Sequence, residues 1–202
     1  MATAGLHKQY VDEQSLIEDS FRLGREVFRS EFRPDFLVGL WRGGSTIGIY
    51  VQECLQYLGV ETDHISVRTS YRGLEHYARE IAAGDIRIHG LQYLLENMNH
   101  EHSLLIVDDV FSSGNSIEAL LNTLERKTKR NLPHDIRIAT PYYKPGQNQT
   151  GRIPNYFIHS TENWLVLPYE LTGLSRQELG LDCLRRLLTG LPVAEKIDFE
   201  QH

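Results

Sequence analysis

Apolar residues recur along this chain in two rhythms, and each switch between them marks a change from helix to strand. Leu16, Ile17, Phe21, Leu23, Val27 and Phe28 follow helical spacing until Pro34 interrupts it. Ser15 stands three residues before Glu18, a capping-box pattern, so a surface helix is expected over residues 15 to 31. Residues 36 to 41, Phe-Leu-Val-Gly-Leu-Trp, form a short apolar run between Pro34 and Gly43-Gly44, the signature of a buried strand. Ser45 is placed to cap a second helix, with Ile47, Val51, Cys54, Leu55 and Leu58 inward and Gly59 as its stop.

Ile65 and Val67 alternate with polar neighbours in a strand running into Thr69. Residues 70 to 90 then carry three glycines and no sustained apolar face, which suits a functional lid or a disordered segment. Leu91, Leu94 and Leu95 open a short helix, residues 104 to 107 form a buried strand, and a helix from about Ser116 turns Ile117, Leu120, Leu121 and Leu124 inward. Ile136, Ile138 and Ala139 mark a strand ending near Tyr142 and Tyr143. Two short strands, over residues 156 to 158 and 164 to 167, and a terminal helix over residues 179 to 188 complete the pattern. Strands alternating with helices predict an α/β fold, a central parallel sheet flanked by helices. A chain of 202 residues supports one domain with an appended lobe.

The bulk numbers narrow the function. Hydrophobic residues make up 41% and charged residues 24%, the ordinary globular mix. A formal charge of −6 argues against nucleic acid, which is captured by a surplus of Lys and Arg. Arg126, Lys127, Lys129 and Arg130 end a helix, where cations stabilise the dipole. Cys54 and Cys183 are the sole cysteines, so a disulfide framework is not expected and a reducing compartment is. No stretch approaches the roughly 18–20 apolar residues of a membrane span, and the first residues lack a signal-peptide apolar region. A cytoplasmic protein is therefore expected. The nine histidines show no i, i+4 pair with a Glu, the spacing of a zinc protease.

Chemistry concentrates where predicted strands end. Residues 104 to 116 read Leu-Leu-Ile-Val-Asp-Asp-Val-Phe-Ser-Ser-Gly-Asn-Ser: a buried strand, an acid pair, then a hydroxyl-rich turn opening a helix. Asp108 and Asp109 suit ribose hydroxyls or a hydrated metal, and the turn offers N–H groups and hydroxyls to a phosphate. Arg42 among glycines suits a polyanion, although a tight turn with an exposed arginine has the same sequence. Competing phosphate motifs fail on spacing. Gly43 and Gly48 are followed by Ile49-Tyr50 instead of the Lys-Ser/Thr of a P-loop, and G-x-G-x-x-G is absent.

Residues 104 to 116 closely resemble the diphosphoribosyl-binding signature of type I phosphoribosyltransferases. Trp41-Arg42-Gly43-Gly44 resembles their pyrophosphate loop, and Ser70-Tyr71 the pair that starts the mobile lid of hypoxanthine and guanine enzymes. Lys144, followed by Trp164-Leu165-Val166-Leu167-Pro168-Tyr169-Glu170, is similar to the purine-binding hood of the bacterial xanthine–guanine branch. The resemblance implies a core over about residues 34 to 145, a hood from the C-terminal part, residues 146 to 202, with N-terminal residues joining it, and a lid over residues 70 to 88.

It also implies roles. Asp108 and Asp109 would hold the ribose hydroxyls, and Ser112, Ser113, Gly114, Asn115 and Ser116 the 5-phosphate. Trp41, Arg42 and Gly43, across a cis peptide, would meet the pyrophosphate with Ser70 and Tyr71, and Arg42 joins the acid pair as catalytic. Lys144 would donate to the purine 6-oxo group, with Trp164 stacking on the ring and Leu165 beside it. Mg2+ would be the cofactor, near Asp108, Asp109 and Glu170. The expected partners are 5-phosphoribosyl 1-diphosphate and hypoxanthine, guanine or xanthine, in a homodimer or homotetramer.

One position departs from the pattern. Ser112 stands where hypoxanthine–guanine enzymes usually carry an aspartate that handles the purine N7 proton, and serine is a poor general base. Asn115 likewise replaces a more usual lysine or glycine. The leading expectation is a purine salvage phosphoribosyltransferase. A pyrimidine-directed transferase and a non-catalytic ligand sensor with the same fold are the alternatives.

Overall fold

The computed structural model describes residues 8–69 and 88–171. Strict alternation in the central strands creates two apolar faces. In β2 (Phe36–Trp41), Phe36, Val38 and Leu40 point to one face and Leu37 to the other; in β5 (Ser103–Val107), Leu104 and Ile106 oppose Leu105 and Val107. Helices α1 (Glu13–Arg29) and α2 (Gly43–Tyr57) cover the Leu37 face with Leu16, Leu23, Val27, Ile47, Val51 and Leu55. Helices α3 (Gln92–Asn97) and α4 (Asn115–Thr128) cover the other with Leu94, Ile117, Leu120 and Leu124. The expected layered α/β architecture is what forms.

The strands β3 (Asp63–Thr69), β2, β5 and β7 (Asp135–Tyr143) lie side by side in parallel, and β8 (Tyr156–Ser160) adds in parallel to β7. The short β4 (Ile88–His89) closes one edge antiparallel to β3. β6 (Val110–Phe111) pairs with Tyr142 and Tyr143 of β7, in the same register by which β5 pairs with residues 135–139. Asp108 and Asp109 therefore interrupt a single line of pairing. β9 (Trp164–Val166) stands outside this sheet and pairs in parallel with β1 (Lys8–Tyr10), which apolar periodicity does not announce.

Two expected helix starts move. Helix α1 begins at Glu13, capped by Asp12, whose carboxylate accepts from the Ser15 N–H at 3.0 Å and its hydroxyl at 3.2 Å. Ser15 is a donor to the cap instead of the cap itself, because a carboxylate one turn earlier meets the positive helix end better. Helix α2 begins at Gly43, directly after Arg42 and without a side-chain cap; Ser45 lies buried in its first turn. Strand β9 also stops at Val166, one residue short of expectation, because Leu167 enters a turn closed by the Glu170 N–H to Leu167 O at 2.9 Å. Cys54 is half-buried and unpaired. Cys183, the helix expected over residues 179 to 188, Ser70, Tyr71 and nearly all of the expected lid lie outside the described residues. Among the described residues no helix is long and apolar enough to cross a membrane.

Candidate functional site

Three parallel strands deliver their carboxyl ends to one rim, where α/β sheets bind ligands. β2 ends at Trp41, β5 at Val107 immediately before the acid pair, and β7 at Tyr143 before Lys144. The Trp41–Arg42 peptide is cis, as the resemblance implied. Both side chains are exposed, Trp41 by 55%. Gly43 is required by close approach: a side chain there would strike the Asp109 carboxylate and the Tyr169 hydroxyl.

The acid pair is held by local hydrogen bonds. Asp109 N–H donates to Asp108 Oδ1 at 3.0 Å, Val110 N–H to Asp109 Oδ1 at 2.8 Å, and Tyr169 OH to Asp109 Oδ2 at 2.7 Å. Burial, then the adjacent Asp109 carboxylate, push the Asp108 carboxyl well above its usual range. Burial first, and then the Asp109 carboxylate, push the Tyr169 phenol far up as well, so it stays a donor.

Beyond the acids, Ser112 to Ser116 wrap the N-terminus of α4. Gly114 has φ +79°, a left-handed turn that glycine adopts without steric cost. Gly114 offers no side-chain cap, Ser113 Oγ accepts from the Asn115 N–H at 3.3 Å, and the N-terminus of α4 opens onto this loop. The segment after β7 braces this loop. Ser112 Oγ donates to Gln147 Oε1 at 2.5 Å, Gln149 N–H to Ser113 O at 3.0 Å, and Asn115 Nδ2 to Gln149 Oε1 at 3.0 Å. Gln147 and Gln149 carry no sequence signal for this role, since their partners are more than thirty residues away.

Lys144 is buried, and its backbone N–H donates to Phe111 O at 2.9 Å, which fixes it beside the serine loop. Burial lowers the Lys144 amine, and the nearby Glu162 and Glu170 carboxylates act in the opposite sense. Glu162 accepts from the Gly146 N–H at 2.7 Å, and Glu170 accepts from the Leu167 N–H at 3.0 Å. Trp164 is 54% exposed, which removes a core-packing role and leaves the indole available for stacking. Leu165 is buried in the core cluster with Val11 and Leu16.

The donor set suits a hard cation held largely through water. Two adjacent carboxylates crowd each other electrostatically, which a divalent ion relieves, and magnesium keeps several waters and substrate oxygens in its shell. Among the described residues no group of three His, Cys, Asp or Glu side chains forms an all-protein metal cage. Glu170 already caps the Leu167 turn with one carboxylate oxygen.

The phosphoribosyl transferase domain model matches residues 7–172 of the chain. A purine phosphoribosyltransferase from Pyrococcus horikoshii superposes with a TM-score of 0.59 at 22% identity, covering 83% of this chain and 97% of its own. A xanthine-guanine-hypoxanthine phosphoribosyltransferase from Helicobacter pylori gives 0.59 at 19% identity, covering 82% and 95%. A hypothetical protein from Neisseria gonorrhoeae with bound ppGpp gives 0.62 at 16% identity, covering 85% and 93%. At these identities the likeness shows a shared fold. No curated protein matches the chain.

Proposed function

We propose that this chain, which belongs to the phosphoribosyl transferase family, transfers 5-phosphoribosyl from 5-phosphoribosyl 1-diphosphate to a 6-oxopurine, releasing pyrophosphate. The observation that carries the reading is that β2, β5 and β7 bring exposed Arg42, the acid pair and buried Lys144 to one rim of the sheet. Attack by a purine nitrogen at the anomeric carbon builds positive charge on the ribose ring, and anionic and hydrogen-bonding groups preorganised around it lower that barrier. Asp108 and Asp109 bind and orient the ribose hydroxyls. Ser112, Ser113, Gly114, Asn115 and Ser116, with the first turn of α4, bind the 5-phosphate.

Arg42 and the backbone at Trp41 and Gly43 bind the departing pyrophosphate. Lys144 donates to the 6-oxo group, and Trp164 stacks on the ring. Asp108, Asp109 and Glu170 would hold magnesium, which would supply charge neutralisation to the departing pyrophosphate. Ser112, whose proton is committed to Gln147, is no general base, and the N–H proton that the purine loses on bonding to the anomeric carbon passes to water.

A coupled pyrophosphate-release assay with 5-phosphoribosyl 1-diphosphate, magnesium and hypoxanthine, guanine, xanthine, adenine, uracil or orotate tests this reading. Turnover of an oxopurine is expected. Preference for uracil or orotate would move the assignment to pyrimidines. The Neisseria neighbour with bound ppGpp supports a second reading, a ligand sensor on the same fold; sugar binding without turnover of any base would establish it instead.

A further inference from the structure

Tyr169 reaches the acid pair from a segment distant from the diphosphoribosyl signature. Its hydroxyl donates to Asp109 Oδ2 at 2.7 Å, across sixty residues of sequence. The space left by Gly43 admits both groups at once. Three segments therefore meet at one point: the start of α2, the end of β5 and the turn after β9. That turn is fixed on its own account, since Glu170 N–H donates to Leu167 O and Leu167 N–H donates to the Glu170 carboxylate. Its next residue along, Glu170, lies close enough to Lys144 to act on its charge. Val110 N–H and Tyr169 OH each occupy a different oxygen of Asp109. A carboxylate oxygen accepts more than one hydrogen bond, so the two protein donors set the direction of the acceptor positions that remain.

We infer that Tyr169 is a positioning residue for the sugar half of the site, holding the Asp109 carboxylate over the α2 turn so that 5-phosphoribosyl 1-diphosphate meets a fixed acceptor. The inference rests on the transferase reading and deepens it. It assigns to the hood a contribution to sugar affinity that is separate from its contacts with the base.

The test is Tyr169→Phe in the full chain, which keeps the ring and removes the donor. Calorimetry with 5-phosphoribosyl 1-diphosphate and magnesium, without base, should show a Kd raised about tenfold, as for loss of one hydrogen bond to a charged group. In steady state the sugar KM rises in parallel, while the base KM at saturating sugar stays within about twofold, below the effect of a lost hydrogen bond. An unchanged sugar Kd, or equal losses for sugar and base, would overturn the inference. Failure of the unaltered chain to turn over any base would instead sink the transferase reading, and the calorimetric comparison would still decide the role of Tyr169.

Discussion

The two halves of the candidate site are built in opposite ways. The sugar-phosphate half is nearly continuous in sequence: a buried strand carries Asp108 and Asp109, and thirteen consecutive residues reach the first turn of α4. The half proposed for the base is assembled from Lys144 after β7 and Trp164 in β9, twenty residues apart. A contiguous motif has its geometry set by one strand-to-helix transition, so few substitutions preserve it. An assembled pocket depends on packing between loops, and single contacts in it are more replaceable.

The largest effect that this contrast predicts is at the acid pair. Asp109→Asn removes a charged acceptor to which Tyr169 and Val110 donate, and kcat/KM should fall roughly a hundredfold, the upper range for a charged hydrogen bond. A loss smaller than that for Ser112→Ala would show the ribose site to be misplaced. On the base side, Lys144→Met should raise the base KM about tenfold or more while leaving the Kd of the sugar diphosphate unaltered. Equal loss for both ligands would break the division into halves.

Trp164→Ala should raise the base KM about tenfold through lost stacking. Because the indole is exposed, the thermal midpoint should hold; a clear drop would mark Trp164 as structural. Smaller still is the effect at Ser112. Ser112→Ala should change kcat/KM by about fivefold or less, since a neutral hydrogen bond contributes roughly 1 kcal/mol at most sites.

The acid pair also predicts a stability profile. Asp108 binds its proton more tightly in the folded chain than in the unfolded one. The stabilisation this provides is complete below the ordinary carboxylate range and is lost as pH rises through the raised folded value. Asp108→Asn, neutral at every pH, should therefore raise the thermal midpoint near neutrality relative to the unaltered chain. That advantage should vanish in acid, and a pH-independent difference would point to packing instead of charge.

Legibility in the sequence followed the same division. Continuous apolar runs in β2 and β5 and helical spacing in α1, α2 and α4 reflect burial against the core, which any sequence must write along its own length. The acid pair and serine loop were readable for a similar reason, because neighbours in sequence are neighbours at a strand end. Helix starts were less so: Asp12 and Ser15 both suit a cap, and only the folded turn shows which one accepts.

What the sequence determined by itself was the layered α/β core, the acid pair followed by its serine turn, and membership in the phosphoribosyl transferase family. Only the tertiary structure decided that β1 joins β9 outside the main sheet, that Gln147 and Gln149 brace the serine loop, and that Tyr169 closes on Asp109 above Gly43. These contacts join residues far apart in the chain, and their partners are chosen by the space that packing leaves, which no local periodicity records.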